Sequence, residues 1–508
     1  LAQPGCVATS LANGIAPRTT CSMIDLDLCY LSATDALQRF RNGSLSPVEL
    51  LKAQIARHET LANTVNEFTY RHFDEALLQA KAAEKKYQAK KRTGALEGLA
   101  VGIKDESYIA GKPTSNGSLL MKDFVATNTS VNNQRIMRAG GLIHARTATP
   151  EFSCAGFTHS RLWGVTRNPF NPELTPGGSS GGSAASLAAG TSTLATGSDI
   201  GGSIRIPAAT CGLVGYKPPY GRNPDDPPFN LDFYCHTGPL ARSVADAALL
   251  QNVMCGPHPT DIASLRPAIR IPTEVKSIKG WKIAFSMDLG AYEVDAEVQK
   301  NTLESLDIFR QLGATVEEVD LGWDASILDS ALHYLEHLFG ASIAGSMADS
   351  GELMTTYARA FALKGRDSKA IDFLRSLEKA GQMYNTLGPL LERNRLLVCP
   401  TNNLPAVPAD HDQTTDKVFI NGVEVNPMLG WVMTTPFNMM SRCPVITLPS
   451  GQASNNIPTS IQVVGRTYSD KDVFQAALAY EQVNGRWFET AARRPDDEPL
   501  KRQSATHG

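Results

Sequence analysis

Short apolar-rich runs alternate with amphipathic stretches through most of the chain. Leu99–Ile103, Leu142–Ala145, Leu194–Thr196, Lys282–Phe285, Thr315–Val319 and Leu396–Cys399 have the length and character of buried strands. Between them, Ser183–Ala189, Val244–Met254, Ala296–Leu312 and Lys471–Gln482 carry apolar residues at helical spacing. Ser46-Pro47-Val48-Glu49 predicts a helix start: serine at the cap, proline at the first helical position and glutamate closing a capping box. A second early helix is predicted through 73–92, its Lys-rich end a solvated face. Asn421-Gly422 between Val418 and Val425 predicts a hairpin with a type I′ turn. Pro219–Pro228 has the composition of a surface loop. Strands alternating with helices predict an α/β protein with a largely parallel or mixed sheet.

Composition narrows the classes of function. Of 508 residues, 42% are hydrophobic, enough for a large core. Lys and Arg total 48 against 51 for Asp and Glu, a net charge of -3 that gives no electrostatic case for nucleic acid or an anionic membrane. No apolar run reaches the length of a membrane span. Nine cysteines, an odd number with no CxxC pair, argue against a disulfide framework or a structural zinc cluster and for a reducing, cytoplasmic setting. The first residues lack the basic and apolar regions of a signal peptide. The chain starts at Leu1, while Met23 is followed by a helix-like pattern. Residues 1–22 are therefore expected to be an extraneous or flexible segment, 23–490 the folded domain, and 491–508 a polar flexible tail.

The chemistry concentrates in Thr175–Pro218, which holds two Gly/Ser clusters, Gly177–Ser183 and Gly201–Ser203. Glycine lets backbone amides approach a ligand closely, and serine beside such amides offers a nucleophile next to an oxyanion hole. Gly177-Gly178-Ser179-Ser180-Gly181 formally fits a nucleophile elbow, but the preceding NPFNPELTP predicts a loop where that elbow needs a strand. A phosphate cradle needs a lysine after the glycines, and none follows either cluster. The remaining reading pairs serine with a lysine base, buried so that it is neutral. Lys104, at the end of an apolar strand, is the candidate.

These segments resemble the amidase signature family. The motif GGSSGGSAASLAAGTSTLATGSDIGGSIRIPAATCGLVGYKP, Gly177–Pro218, is long and specific, and GLAVGIKD (98–105) and IPTSIQVVGRTYSDKDVFQAALAYEQ (457–482) add to it. The likeness covers roughly residues 45–485. It implies a single large α/β domain, a mixed twisted sheet flanked by α-helices, and hydrolysis of amide C–N bonds through an acyl-enzyme, with aryl amides, carbamates and esters within range. By position, the catalytic set becomes Lys104, Ser179 after a cis peptide bond, and the nucleophile Ser203. The backbone N–H groups of Ile200, Gly201, Gly202 and Ser203 become the oxyanion hole. Gly178, Ser180, Asp199 and Arg205 are expected to support these groups from behind, and Phe152, Met433 and Phe437 to meet the substrate. No cofactor and no metal are implied. The implied partners are a small-molecule amide or carbamate and water, with a homodimer as the assembly left open.

Two further matches compete. His333-Tyr-Leu-Glu336-His337 fits H-x-x-E-H, a zinc pattern that chance supplies at this composition. Ser376-Leu-Glu-Lys379 fits S-x-x-K without the parts that accompany it. Departures from the family pattern are Ser198 in place of threonine and the ending Tyr216-Lys217-Pro218-Pro219, followed by an unusual Pro-rich loop. The alternative activity is the glutaminase subunit of a tRNA-dependent amidotransferase. An inactive binding protein is the alternative of another class.

Overall fold

The structure is a computed structural model that describes residues 25–347, 350–496 and Leu500. The segment 1–22 lies outside the described residues. At the other end, Ala491–Arg493 form a 3-10 turn, and Leu500 is buried among Leu61, Val65, Ala185 and Ala189.

The capping box forms as predicted: Ser46 accepts from the Val48 N–H at 3.0 Å, Glu49 accepts from the Ser46 N–H, and the helix Pro47–Val65 follows. The strands assemble into one eleven-stranded sheet. Its order is Phe68–Arg71, Leu142–Thr147, Ala100–Lys104, Leu194–Asp199, His236–Ala241, Val214–Lys217, Val445–Gln452, Pro458–Gly465, Leu396–Pro400, Lys282–Phe285 and Thr315–Glu318. Ala100–Lys104 runs parallel to both its neighbours, as does Lys282–Phe285, while the middle of the sheet is antiparallel. The fold is thus a single large α/β domain with a mixed sheet between helices.

Alternation along the strands explains why both faces are apolar. Leu396 and Val398 join one large cluster, with Ile461 and Val463, whereas Leu397 and Cys399 join another on the opposite face with Val464. No helix of the described residues is long and apolar enough to cross a membrane.

The hairpin forms with Asn421 at φ 49° and Gly422 at φ 82°, the positive pair that a type I′ turn requires. Two expectations are corrected. Thr315–Glu318 is the exposed edge of the sheet rather than a buried strand, its polar residues facing water. Pro219–Pro228 is a surface loop only at its far end: Pro227 and Pro228 are exposed, whereas Gly221–Pro224 turn inward and are buried. Arg222 pairs with Asp470 at 2.8 Å and Asn223 bonds with Gln251, so the loop's polar side chains find partners inside. This loop walls the cavity described next.

Candidate active site

The parallel strands Ala100–Lys104 and Leu194–Asp199 end side by side, which sets Lys104 and Asp199 at their carboxyl ends, the edge where open α/β sheets bind ligands. Ser179 and Ser180 lead into the helix Gly181–Ala188, which packs tightly here. A Cβ on Gly182 would lie 2.2 Å from the Ala148 nitrogen, and one on Gly178 would lie 2.2 Å from the Phe157 oxygen. The Gly178–Ser179 peptide bond is cis.

Lys104 is 1% exposed and its Nζ has three partners: Ser179 Oγ at 2.7 Å, Ser198 Oγ at 2.8 Å and Glu106 Oε2 at 3.0 Å. Burial pulls the lysine below its ordinary range, and Glu106 pulls the other way. Burial of the Glu106 carboxyl is outweighed by Lys104 and the Ser198 and Ser153 hydroxyls, which hold it below the usual range.

Ser203 sits at the turn after Leu194–Asp199 and is 7% exposed. Its carbonyl accepts from the Ser180 N–H at 3.2 Å, which joins the two Gly/Ser clusters. Among the described residues, the N–H groups of Ile200, Gly201, Gly202 and Ser203 have no hydrogen-bond partner, and Ser179 Oγ does not bond to Ser203 Oγ. Four successive free donors beside a serine hydroxyl make a site for an oxyanion. The backbone there is fixed from behind. Gly201 O accepts from Thr434 Oγ1 at 2.7 Å and Thr435 Oγ1 at 3.2 Å, and Gly202 has φ 129° with its Cα against Thr434.

Beneath the loop, Asp199 and Arg205 form a fully buried pair at 2.9 Å. Arg205 uses every donor it has: Nε and Nη2 on Asp199, Nη1 on Thr434 O and Gln462 Oε1, and Nη2 also on Asn438 Oδ1. Asp199 also receives the Ile204 and Arg205 backbone N–H groups and Asn438 Nδ2. Burial alone would raise its carboxyl, but Arg205 and Asn438 hold it well below the usual carboxylate range.

Two cavities meet at Ile200, Ser153 and Phe339. The one at Ser203 is apolar, walled by Leu335, Phe361, Met428 and Leu429. The other, about 360 Å³, contains Lys104, Glu106, Ser198 and Phe152. The structure therefore brings together Lys104, Ser179, Ser203, the three residues Ile200–Gly202, and Ser180, Asp199 and Arg205 behind them. Phe152 reaches the cavity, but Met433 and Phe437 do not. Both are fully buried in the core, Phe437 with its ring 6.3 Å from that of Trp323. The zinc-like residues do not converge: His337 bonds Ser368, Glu336 pairs with Lys364 at 3.3 Å, and His333 is exposed. Ser376 bonds its own helix and Lys379 bonds Asp324, so that pair also stays apart.

Glu106, Asn438, Gln462, Leu335 and Phe339 were not singled out by sequence. Only Glu106 carried a local signal, following the candidate lysine by two positions.

A family model described as Amidase matches residues 49–474. An acylamidase of Rhodococcus erythropolis is 32% identical over 475 residues, covering 91% of this chain and 97% of that protein. A glutamyl-tRNA(Gln) amidotransferase subunit of Lachnospira eligens is 29% identical, covering 91% of this chain and all of that protein. A bacterial aryl acylamidase of the amidase signature family has a solved structure that superposes with a TM-score of 0.83 at 28% identity, over 89% of this chain and 96% of that one. The match runs through the Lys104 strand and both Gly/Ser clusters, and the fold agrees along nearly the whole chain: this protein belongs to the amidase signature family, hydrolases that act on carbon–nitrogen bonds.

Proposed function

We propose that this chain is a stand-alone serine amidohydrolase that forms an acyl-enzyme on Ser203, with Ser179 and Lys104 as its proton relay. The observation that carries the reading is the buried contact of Lys104 Nζ with Ser179 Oγ at 2.7 Å, in a site that also holds four unpartnered N–H groups at Ser203. Neutral Lys104 takes the Ser179 proton, and Ser179 takes that of Ser203 as its oxygen attacks the carbonyl carbon. Rotation of the Ser203 hydroxyl toward Ser179 closes the second leg as substrate arrives. The carbonyl oxygen gains its charge facing the N–H groups of residues 200–203. The proton returns through Ser179 to the leaving nitrogen, which departs as an amine instead of an amide anion. Water then attacks the ester, and the same relay takes and returns its proton. The chemistry needs neither a redox step nor a cofactor.

The apolar wall of Leu335, Phe361, Met428 and Leu429 supports an apolar or aromatic acyl group, which includes aryl amides, carbamates and esters. The glutaminase reading needs a cation for the α-carboxylate of glutamine. Among the described residues, Lys104 is the one Lys or Arg lining either cavity, and its contacts with Ser179, Ser198 and Glu106 occupy it.

A fluorophosphonate is expected to label Ser203, located by peptide mapping, and the purified chain alone is expected to hydrolyse an aryl amide. Labelling at Ser179 instead would overturn the assignment. Because Lys104 works deprotonated, kcat/KM should rise with pH along a limb lying below the ~10.4 of free lysine. Gly202→Ala places a methyl group 2.0 Å from Thr434 Oγ1 at a backbone angle that disfavours it. The expected result is a loss of about 10²–10³ in kcat as the N–H groups are re-aimed, read by steady-state kinetics on the same amide.

A further inference from the structure

The larger cavity has a charge imbalance that the relay alone does not explain. Its walls carry three carboxylates, Glu106, Asp225 and Asp226, against one cation, Lys104. Glu106 pairs with Lys104 at 3.0 Å. Among the described residues Asp225 has no cationic partner: it accepts from the Asp226 N–H and Thr237 Oγ1, both at 2.9 Å, and lies near the Cys235 thiol. Asp226 accepts from Ser130 Oγ. When Lys104 acts as a neutral base, the cavity holds carboxylates and no positive charge.

A second observation at the same wall asks for a donor. Asn132, 5% exposed, lines this cavity and donates through Nδ2 to Pro224 O at 2.8 Å, while its Oδ1 has no hydrogen-bond partner among the described residues. A buried acceptor left without a donor is costly and is satisfied by a ligand that supplies one.

The two cavities are lined by different members of the proposed relay, Ser203 in one and Lys104 in the other. The apolar one is at Ser203 and suits the acyl part. The acidic one is at Lys104, the side from which the leaving nitrogen receives its proton, so it suits the amine part.

We propose that the acidic cavity is a subsite for an ammonium group on the leaving amine, so that the preferred substrate is an apolar or aromatic acyl group joined to a short diamine. This deepens the amidohydrolase reading and rests on it. The ammonium pairs with Glu106 and Asp225 and donates to Asn132 Oδ1. In doing so it takes the place of Lys104 beside Glu106, and the proton that Lys104 sheds passes to solvent. Substrate thus helps to produce the neutral base that attacks it. The groups facing Lys104 are the Glu106 and Asp199 carboxylates and the Cys235 thiol, which burial keeps neutral, and Arg146 also acts on Glu106. Facing Asp225 are Asp226, Glu106 and the Cys235 thiol, and burial pushes its carboxyl up to about 7, so it is partly protonated near neutral pH and a bound cation would ionise it.

The test compares two amides of one aromatic acid: the monoamide of 1,4-diaminobutane and the N-pentyl amide, which carries methyl where the first carries ammonium. Calorimetry on Ser203→Ala, which holds substrate without consuming it, is expected to show the ammonium amide binding at least about 10-fold tighter. That preference should vanish in the Ser203→Ala forms of Glu106→Gln and Asp225→Asn. With Ser203 intact, Glu106→Gln should raise KM for the ammonium amide while moving the alkaline limb for the pentyl amide to lower pH, since removing the carboxylate frees the lysine proton. A merely structural role would not move that limb in that direction. Equal binding of the two amides, or a preference that survives both substitutions, overturns the subsite. Failure of the underlying reading looks different: turnover of aryl amides would then persist in Ser203→Ala.

Discussion

Ser203→Ala is expected to lower kcat/KM for an aryl amide by at least about 10⁴-fold while leaving the protein folded. The substitution removes one hydroxyl from a residue that already borders a cavity, so it opens no void in the core. The free N–H groups of residues 200–203 remain, and so does the apolar wall, which is why substrate should still bind. Lys104→Ala should be comparably severe for a different reason. It deletes the proposed base, strands the half-buried Glu106 without its cation, and leaves Ser179 without its 2.7 Å partner. Its activity should therefore stay low across the whole pH range, with no alkaline limb, whereas the parent rises along one. Steady-state kinetics over pH, with circular dichroism to check folding, separates the two. Near-normal turnover in Ser203→Ala would point to another nucleophile, and no turnover in either the parent or the variant to an inactive binding protein.

The second large effect is on both stability and rate. Arg205→Ala removes five donors from a fully buried site and leaves Asp199 charged and buried, which costs about 3–5 kcal/mol. It also releases Thr434 and Asn438, which fix the carbonyls of Gly201 and Asp199. A loss of about 10²–10³ in kcat should accompany the lowered denaturation midpoint, because the N–H groups lose their aim. Arg205→Lys should recover little, since an ammonium cannot span two sides of a carboxylate and three other acceptors. The pH sign follows from the depressed carboxyl. Asp199 stabilises the fold above the ordinary carboxylate pKa of about 3.9, and that contribution is lost as pH falls from there toward its lower folded value. Denaturant melts at falling pH should show a steeper acid loss in the parent than in Arg205→Ala.

How far the sequence reached depended on the range of each contact. The Lys104 strand, the helix beginning at the first Gly/Ser cluster and the Asn-Gly hairpin are set by local pattern, and each appears within a residue or two. The pairing of Asp199 with Arg205, six positions apart, was legible for the same reason. Thr434, Asn438 and Gln462 were not, because nothing near them in the chain marks a partner more than two hundred residues away. Met433 and Phe437 show the complementary difficulty: apolar side chains at a site and in a core have the same composition, and here the core holds them. The stretch 333–339 inverts the expectation in an instructive way. Its histidines carried the motif, but Leu335 and Phe339, also four residues apart and so on one helical face, line the cavities.

The reach of Arg205 has a consequence for how the protein is made. The first Gly/Ser cluster and its neighbour leave the ribosome early, yet their guanidinium clasp closes on residues 434, 438 and 462. Until the last quarter of the chain has been synthesised, Asp199 and Arg205 have each other, the adjoining backbone and His236, but the loop at Ser203 lacks its backing from Thr434, Asn438 and Gln462. Assembly of the site is thereby deferred until late in synthesis: a product released before Gln462 contains the whole signature motif and all three proposed relay residues but not the brace behind their loop.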